Sequence, residues 1–158
     1  MRILIDADGC PVVDTTVRIA RQRNIECLIL CDTSHVYDKK GAKTVTVSSG
    51  ADSVDFKLVN MVKKGEVVIT QDYGLAAMCL AKNAVPIRQD GMVYNSANID
   101  ALLYARYTAQ LMRRRGERIK PYTRKKPANT SKRMSFEASL KSVLESLLRS
   151  EKKSRLSV

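Results

Sequence analysis

Short apolar runs alternate with stretches of helical periodicity along the first two thirds of the chain, and that order leaves few folds open. Residues 2–5 form a compact apolar strand ahead of Asp6, residues 26–31 a longer one, and residues 44–48 (TVTVS) a third, rich in β-branched side chains. Residues 67–70 and 86–88 supply two more, and Pro86 marks the last as an edge strand. Between them, Pro11 suits the first turn of a helix carrying Val13, Val17 and Ala20. Residues 51–64 repeat Val54, Leu58, Val59 and Val62 at helical spacing before a Lys63-Lys64-Gly65 stop, and residues 74–81 and 99–112 read as further helices. Parallel strands need crossover connections, usually helices, so the expected architecture is α/β: a three-layer α/β/α sandwich around a mostly parallel sheet.

Composition narrows the class further. With 158 residues, 44% of them hydrophobic, the chain can bury about 70% of its unfolded surface in one core. Apolar runs such as residues 27–31 stop far short of the ~20 residues of a membrane span, and the first residues reach Asp6 without a signal-peptide core. A soluble, cytoplasmic protein with no membrane partner is expected. Cys10, Cys27, Cys31 and Cys79 form no C-x-x-C pair, so they read as reduced thiols, not a disulfide or zinc framework, and His35 reads as a solvated imidazole in a polar loop.

Aspartates recur where the strands end. Asp6 and Asp8 follow the first strand, Asp52 and Asp55 the third and Asp72 the fourth, with Asp32 and Asp90 at similar points after the second and fifth. In open parallel sheets that edge is where ligands bind. Asp6 and Asp8, two apart in extended chain, share a side, and Asp52 and Asp55, three apart, share a helical face. Carboxylates about 4 Å apart repel by roughly 4 kcal/mol at an effective dielectric near 20, more than a helix dipole returns. Such a cluster needs a hard divalent cation, a nearby Lys or Arg, or protonation of one member. With no His or Cys ligand, the cation would be Mg²⁺ or Mn²⁺ and not zinc. Taken singly, Asp8, Asp52 and Asp72 also read as helix caps, but caps leave the Asp6/Asp8 pair and the recurrence at three strand ends unexplained.

Charge is distributed unevenly. Residues 1–104 hold twelve basic and twelve acidic side chains, whereas residues 105–158 hold 16 basic and 4 acidic, which accounts for the whole net charge of +12. The excess points to a polyanionic partner, nucleic acid ahead of anionic lipid, with a solubilising tail as the bland alternative. Arg113, Arg114, Arg115, Arg118, Lys120, Arg124, Lys125 and Lys126 surround Tyr122, which can stack on an unpaired base. After this basic arm, Phe136, Leu140, Val143, Leu144, Leu147 and Leu148 make an apolar stripe at helical spacing that must dock on its own domain or on a second copy, giving a homodimer through the C-terminal helix. The chain divides on this reading into residues 1–112 and an appendage at 113–158.

Three ordered motifs carry a resemblance: Asp6-Ala7-Asp8-Gly9-Cys10-Pro11-Val12, Ser49-Gly50-Ala51-Asp52-Ser53-Val54-Asp55 and Ile69-Thr70-Gln71-Asp72-Tyr73-Gly74-Leu75-Ala76. Together with Lys120-Pro121-Tyr122-Thr123 and the Phe136 helix, they resemble the YaiI/YqxD family of bacterial proteins, grouped with PIN-like nuclease domains. The chain departs from the family pattern at Gly9, where Ala is common, and lacks an acid just before Phe136. The resemblance implies a PIN-like fold over residues 1–112 in which strand-end carboxylates hold divalent metal for phosphodiester hydrolysis. Asp6 would be the central ligand, with Asp72, Asp52 or Asp55, and Asp8 completing the set, and Asp6, Asp55 and Asp72 catalytic. The substrate would be nucleic acid, RNA ahead of DNA. Two competing readings are a haloacid-dehalogenase-like phosphohydrolase, with Asp6 as nucleophile and Thr70 binding phosphate, and a non-catalytic RNA-binding module. Gln71 and Tyr73 flank Asp72 and either position substrate or pack.

Overall fold

The computed structural model describes residues 1–34, 37–48, 50, 53–116 and 134–156. Five strands, β1 (Arg2–Asp6), β2 (Glu26–Asp32), β3 (Lys43–Val47), β4 (Val67–Ile69) and β5 (Val85–Ile87), form one sheet in the order β3-β2-β1-β4-β5, with every neighbouring pair parallel. The helices are α1 (Val13–Gln22), α2 (Ser53–Met61), α3 (Tyr73–Ala81), α4 (Ser96–Arg114) and α5 (Phe136–Leu156). The expected α/β sandwich is therefore present, and the proline-bearing β5 lies at an edge.

Strands covered on both faces must be apolar along their buried length, and the three central ones are, at residues 3–5, 27–31 and 67–69. Ile3, Ile5, Cys27, Ile29, Val67 and Ile69 face a core shared with Val13, Val17 and Ala20 of α1; Leu4, Leu28, Leu30 and Val68 face Val54 and Leu58 of α2 and Leu75 and Cys79 of α3. The connection from β2 to β3 lacks a helix among the described residues. It crosses on the α1 side, where Tyr37 and Ala42 pack on the first core and Lys39 pairs with Asp14 of α1 at 2.8 Å. Helix α4 adds an outer layer, with Ile99, Leu102 and Leu103 packing around Ala76 of α3 and the buried Tyr94.

The apolar stripe of the last helix is covered by the chain itself. Phe136, Leu140 and Leu144 are buried in the α1-side core, and Val143, Leu147 and Leu148 pack against it. Arg18–Glu137 at 2.8 Å and Arg23–Glu145 at 2.9 Å tie α5 to α1. This docking removes the reason the stripe gave for a dimer. The approach to α5 runs over Gly91, with φ +88, where a Cβ would stand 2.8 Å from the Met134 carbonyl oxygen, so only glycine fits.

Element ends differ from the periodicity for local reasons. Pro11 lies in the turn ahead of α1, not in its first turn. Helix α2 stops at Met61, before the lysines, because Arg2 donates to the Met61 carbonyl at 3.0 Å and Glu66 accepts the Lys63 N–H at 2.9 Å. Helix α4 starts at Ser96 because Asn95 and Asn98 cap each other reciprocally at 2.9 and 3.0 Å.

Candidate active site

The strand order reverses at β1. Chain continuing from it goes first to one side, into β2 and β3, and then to the other, into β4 and β5. A crevice opens beyond the carboxyl ends at such a switch point. Here it is a cavity of about 350 Å³ lined by Asp6, Asp8, Asp32, Ser53, Asp55, Gln71 and Asp72, among others.

Asp6 ends the central strand, on the same side as Leu4, and Asp8 follows on that side two residues later, as the extended spacing predicts. Between Asp8 and Cys10 the chain turns: the Cys10 N–H bonds the Ala7 carbonyl at 3.0 Å, and Gly9 sits at φ +70, a conformation that costs an alanine about 1–2 kcal/mol. Tyr37 donates to the same Ala7 carbonyl at 3.0 Å. Asp32 ends β2 and accepts the Ser34 N–H at 2.8 Å, while Asp55 comes from the first turn of α2.

Asp72 caps α3, accepting the Leu75 N–H through Oδ1 at 2.9 Å, and its Oδ2 lies 3.8 Å from Arg106. The cap reading and the site reading are thus both met by one residue, because a carboxylate has two oxygens. Thr70 links this cap to Asp6: its hydroxyl accepts the Asp72 N–H at 3.0 Å and donates to Asp6 Oδ2 at 2.8 Å. Burial pushes the Asp6 carboxyl up to about 6, opposed by the Thr70 hydrogen bond and reinforced by the negative charges of Asp55, Asp8 and Asp72.

Asp90 takes no part in this cavity. Its carboxylate accepts two hydrogen bonds from Arg88 and the Met92 N–H, a turn clamp after β5. Among the predicted ligands, Asp52 lies outside the described residues, as does His35. Of the predicted nucleic-acid contacts, Arg113, Arg114 and Arg115 are exposed at the end of α4, and Arg118, Lys120, Tyr122, Arg124, Lys125 and Lys126 lie outside the described residues. Burial raises the Cys27 and Cys79 thiols to about 12 and raises Cys10 as well, as expected of packing cysteines.

The donor set is all oxygen, which suits Mg²⁺ or Mn²⁺. Among the described residues no three acidic, histidine or cysteine side chains close on a common point. Mg²⁺ commonly keeps several waters and takes only one or two carboxylates, so the cavity fits a hydrated ion and not a fully caged one. The second point of fit is the place of Asp6, buried and with Asp55, Asp8 and Asp72 as negative neighbours, where a positive charge would offset both the burial of the carboxylate and the repulsion.

Fold and site together define an α/β protein whose carboxylate-lined crevice lies at the switch point of a parallel sheet. The family model described as "Uncharacterized BCR, YaiI/YqxD family" matches residues 4–146, and the chain belongs to that family. A UPF0178 protein of Exiguobacterium sibiricum is 47% identical over 137 residues, covering 86% of this chain and 94% of that one. One from Clostridium kluyveri is 47% identical over 118 residues, covering 75% and 78%. One from Lachnoclostridium phytofermentans is 37% identical over 147 residues, covering 93% and 99%. No solved structure matches the chain. No helix among the described residues is long and apolar enough to cross a membrane.

Proposed function

We propose that this protein is a divalent-metal-dependent nuclease that hydrolyses phosphodiester bonds, in RNA ahead of DNA. The observation that carries the reading is that carboxylates from separate elements, Asp6 at the end of β1, Asp8 after it, Asp32 at the end of β2, Asp55 of α2 and the α3 cap Asp72, line one open cavity. Asp6, Asp8, Asp52, Asp55 and Asp72 would together hold a hydrated Mg²⁺ or Mn²⁺, with one or two of them, Asp6, Asp55 or Asp72, bound to it directly, and the ion would supply a more acidic water and charge neutralisation at the scissile phosphate. Thr70 holds one oxygen of Asp6, and the α3 cap holds one oxygen of Asp72, so both carboxylates are oriented before substrate arrives. The exposed arginines ending α4 offer phosphate contacts whose strength falls steeply with salt.

The test is incubation of end-labelled single-stranded RNA with the protein and Mn²⁺, against a chelator control and Asp6→Asn. Cleavage that needs both the metal and Asp6 supports the reading. RNA left intact, or cut equally well by the variant, sinks it.

The Thr70–Asp6 hydrogen bond favours one competing reading, the phosphohydrolase in which Asp6 attacks phosphorus beside a phosphate-binding threonine. Among the described residues, no lysine lines the cavity to support it. Turnover of small phosphomonoesters with a trappable aspartyl-phosphate would favour that reading, and RNA bound but never cut would favour a binding module.

A further inference from the structure

A second cavity, of about 240 Å³, shares Asp55 and Asp72 with the first and lies on its α2/α3 side. Its other walls include Phe56, Met78 and Arg106. Phe56 is 61% exposed although it sits in the first turn of α2, next to Asp55. An isolated exposed apolar residue needs no explanation. Phe56 is different because its ring forms a wall of a recess that opens beside the candidate reaction centre, with the half-open Met78 as a further apolar wall.

Arg106 adds a cation to the same recess. It follows Ile99, Leu102 and Leu103 on one face of α4, so the packing that seats α4 on α3 also places the guanidinium at the cavity rim. Its tie to Asp72 is long, 3.8 Å, and the side chain is 59% exposed, so it is loosely held. Arg113 lies two turns further along that face, about 10 Å away, and opens the exposed run Arg113-Arg114-Arg115.

We infer that this recess is a nucleobase subsite for a single-stranded nucleic acid: one unpaired base lies on the Phe56 ring while Arg106 holds an adjacent phosphate. The inference rests on the nuclease reading for the role of the neighbouring carboxylates, and it adds the strandedness of the substrate. An unpaired base fits because it offers a flat apolar face for Phe56 and Met78, and polar edges able to meet the carboxylates at the junction. A guanidinium matches phosphate with its planar fork. A base paired in a helix has no free face to give, so duplexes should be excluded. An apolar peptide side chain would face two carboxylates and a guanidinium without polar groups to satisfy them, and the positive C-terminal third of the chain favours a polyanion.

The experiment measures binding of a short fluorescein-labelled single-stranded RNA by anisotropy in Mg²⁺, with full-length protein carrying Asp6→Asn to prevent turnover. Phe56→Ala should weaken binding about tenfold or more, whereas Phe56→Trp should retain it, and duplex RNA should bind no better than Phe56→Ala binds the single strand. Equal binding by Phe56→Ala and its parent, or no binding of RNA by either, overturns the subsite. The two readings separate on cleavage by the chain with Asp6 intact. Binding that depends on Phe56 without any cleavage leaves the subsite standing and removes the nuclease, while cleavage whose KM is untouched by Phe56→Ala does the reverse.

Discussion

Asp6→Asn should make this protein more stable at neutral pH while disabling the site. In the folded chain the Asp6 carboxyl titrates near 6 instead of 3.8, because burial and the charges of Asp55, Asp8 and Asp72 disfavour its ionised form. A raised carboxyl pKa means that the folded state holds its proton more tightly than the unfolded chain does. The stabilisation is therefore fully present below pH 3.8 and is lost as pH rises through about 6. A shift of about two units corresponds to about 3 kcal/mol at pH 7. Asparagine keeps an acceptor for the Thr70 hydroxyl and carries no charge, so the variant should exceed the parent by about that amount at pH 7 with chelator present. For a domain of this size the gain is about 6–12 °C in Tm. The two curves should converge near pH 4, since Glu26, Glu137 and Glu145, whose basic partners lower their pKa values, respond alike in both chains. Added Mg²⁺ or Mn²⁺ should narrow the gap at pH 7 by stabilising the parent. Thermal melts across this pH range read the effect directly. A variant no more stable than its parent at pH 7, or a difference that does not change with pH, would refute the claim that the acidic crevice is electrostatically strained.

Three further outcomes follow from the packing. Leu140→Ala should lower the stability measured by urea unfolding by about 2–5 kcal/mol, because this α5 side chain is fully buried against the α1-side core; an unchanged midpoint would mean that α5 does not dock there. Glu66→Ala should cost about 1–3 kcal/mol by removing the carboxylate that holds the part-buried Arg2 guanidinium at 2.6 and 3.1 Å, and adding Arg2→Met should recover part of the loss in a double-mutant cycle. A thiol reagent should find Cys27, Cys31 and Cys79 unreactive in the native protein and all four cysteines reactive after denaturation, since burial both shields the three and holds their thiols protonated; fast native labelling of Cys79 would contradict its place in the α2/α3 core.

The elements were legible because each carries a local signal. Apolar runs such as Cys27 to Cys31 are what a strand covered on both faces requires, and the spacing of Phe136, Leu140 and Leu144 is what a helix docked on one side requires. The misplaced ends depended on distant partners. Nothing near Lys63 announces that Glu66 will take its N–H while Arg2, some sixty residues earlier, takes the Met61 carbonyl. The α4 start did have a local mark, the Asn95 and Asn98 pair, weaker than the Ser/Thr and Glu of the usual capping box.

For the site, the strand-end position of each aspartate was readable and their selection was not. Asp32 and Asp90 occupy equivalent places in the sequence, yet Asp32 lines the crevice while Asp90 is spent on Arg88. Strand order makes that distinction. β1 is central, with β2 on one side and β4 on the other, so a crevice opens over Asp6 and gathers the ends of its neighbours, whereas β5 lies at the sheet edge and its following turn closes on itself. Thr70 is legible only as a phosphate binder, and its link to Asp6, like the place of Arg106, is hidden for the same reason. The Thr70 hydroxyl reaches Asp6 because β4 pairs with β1, and Arg106 reaches Asp72 because α4 packs on α3. Asp6 is strained because topology buries it at the end of the central strand, with the other carboxylates of the crevice around it, and the pH dependence of its asparagine variant tests that placement more directly than it tests any single hydrogen bond.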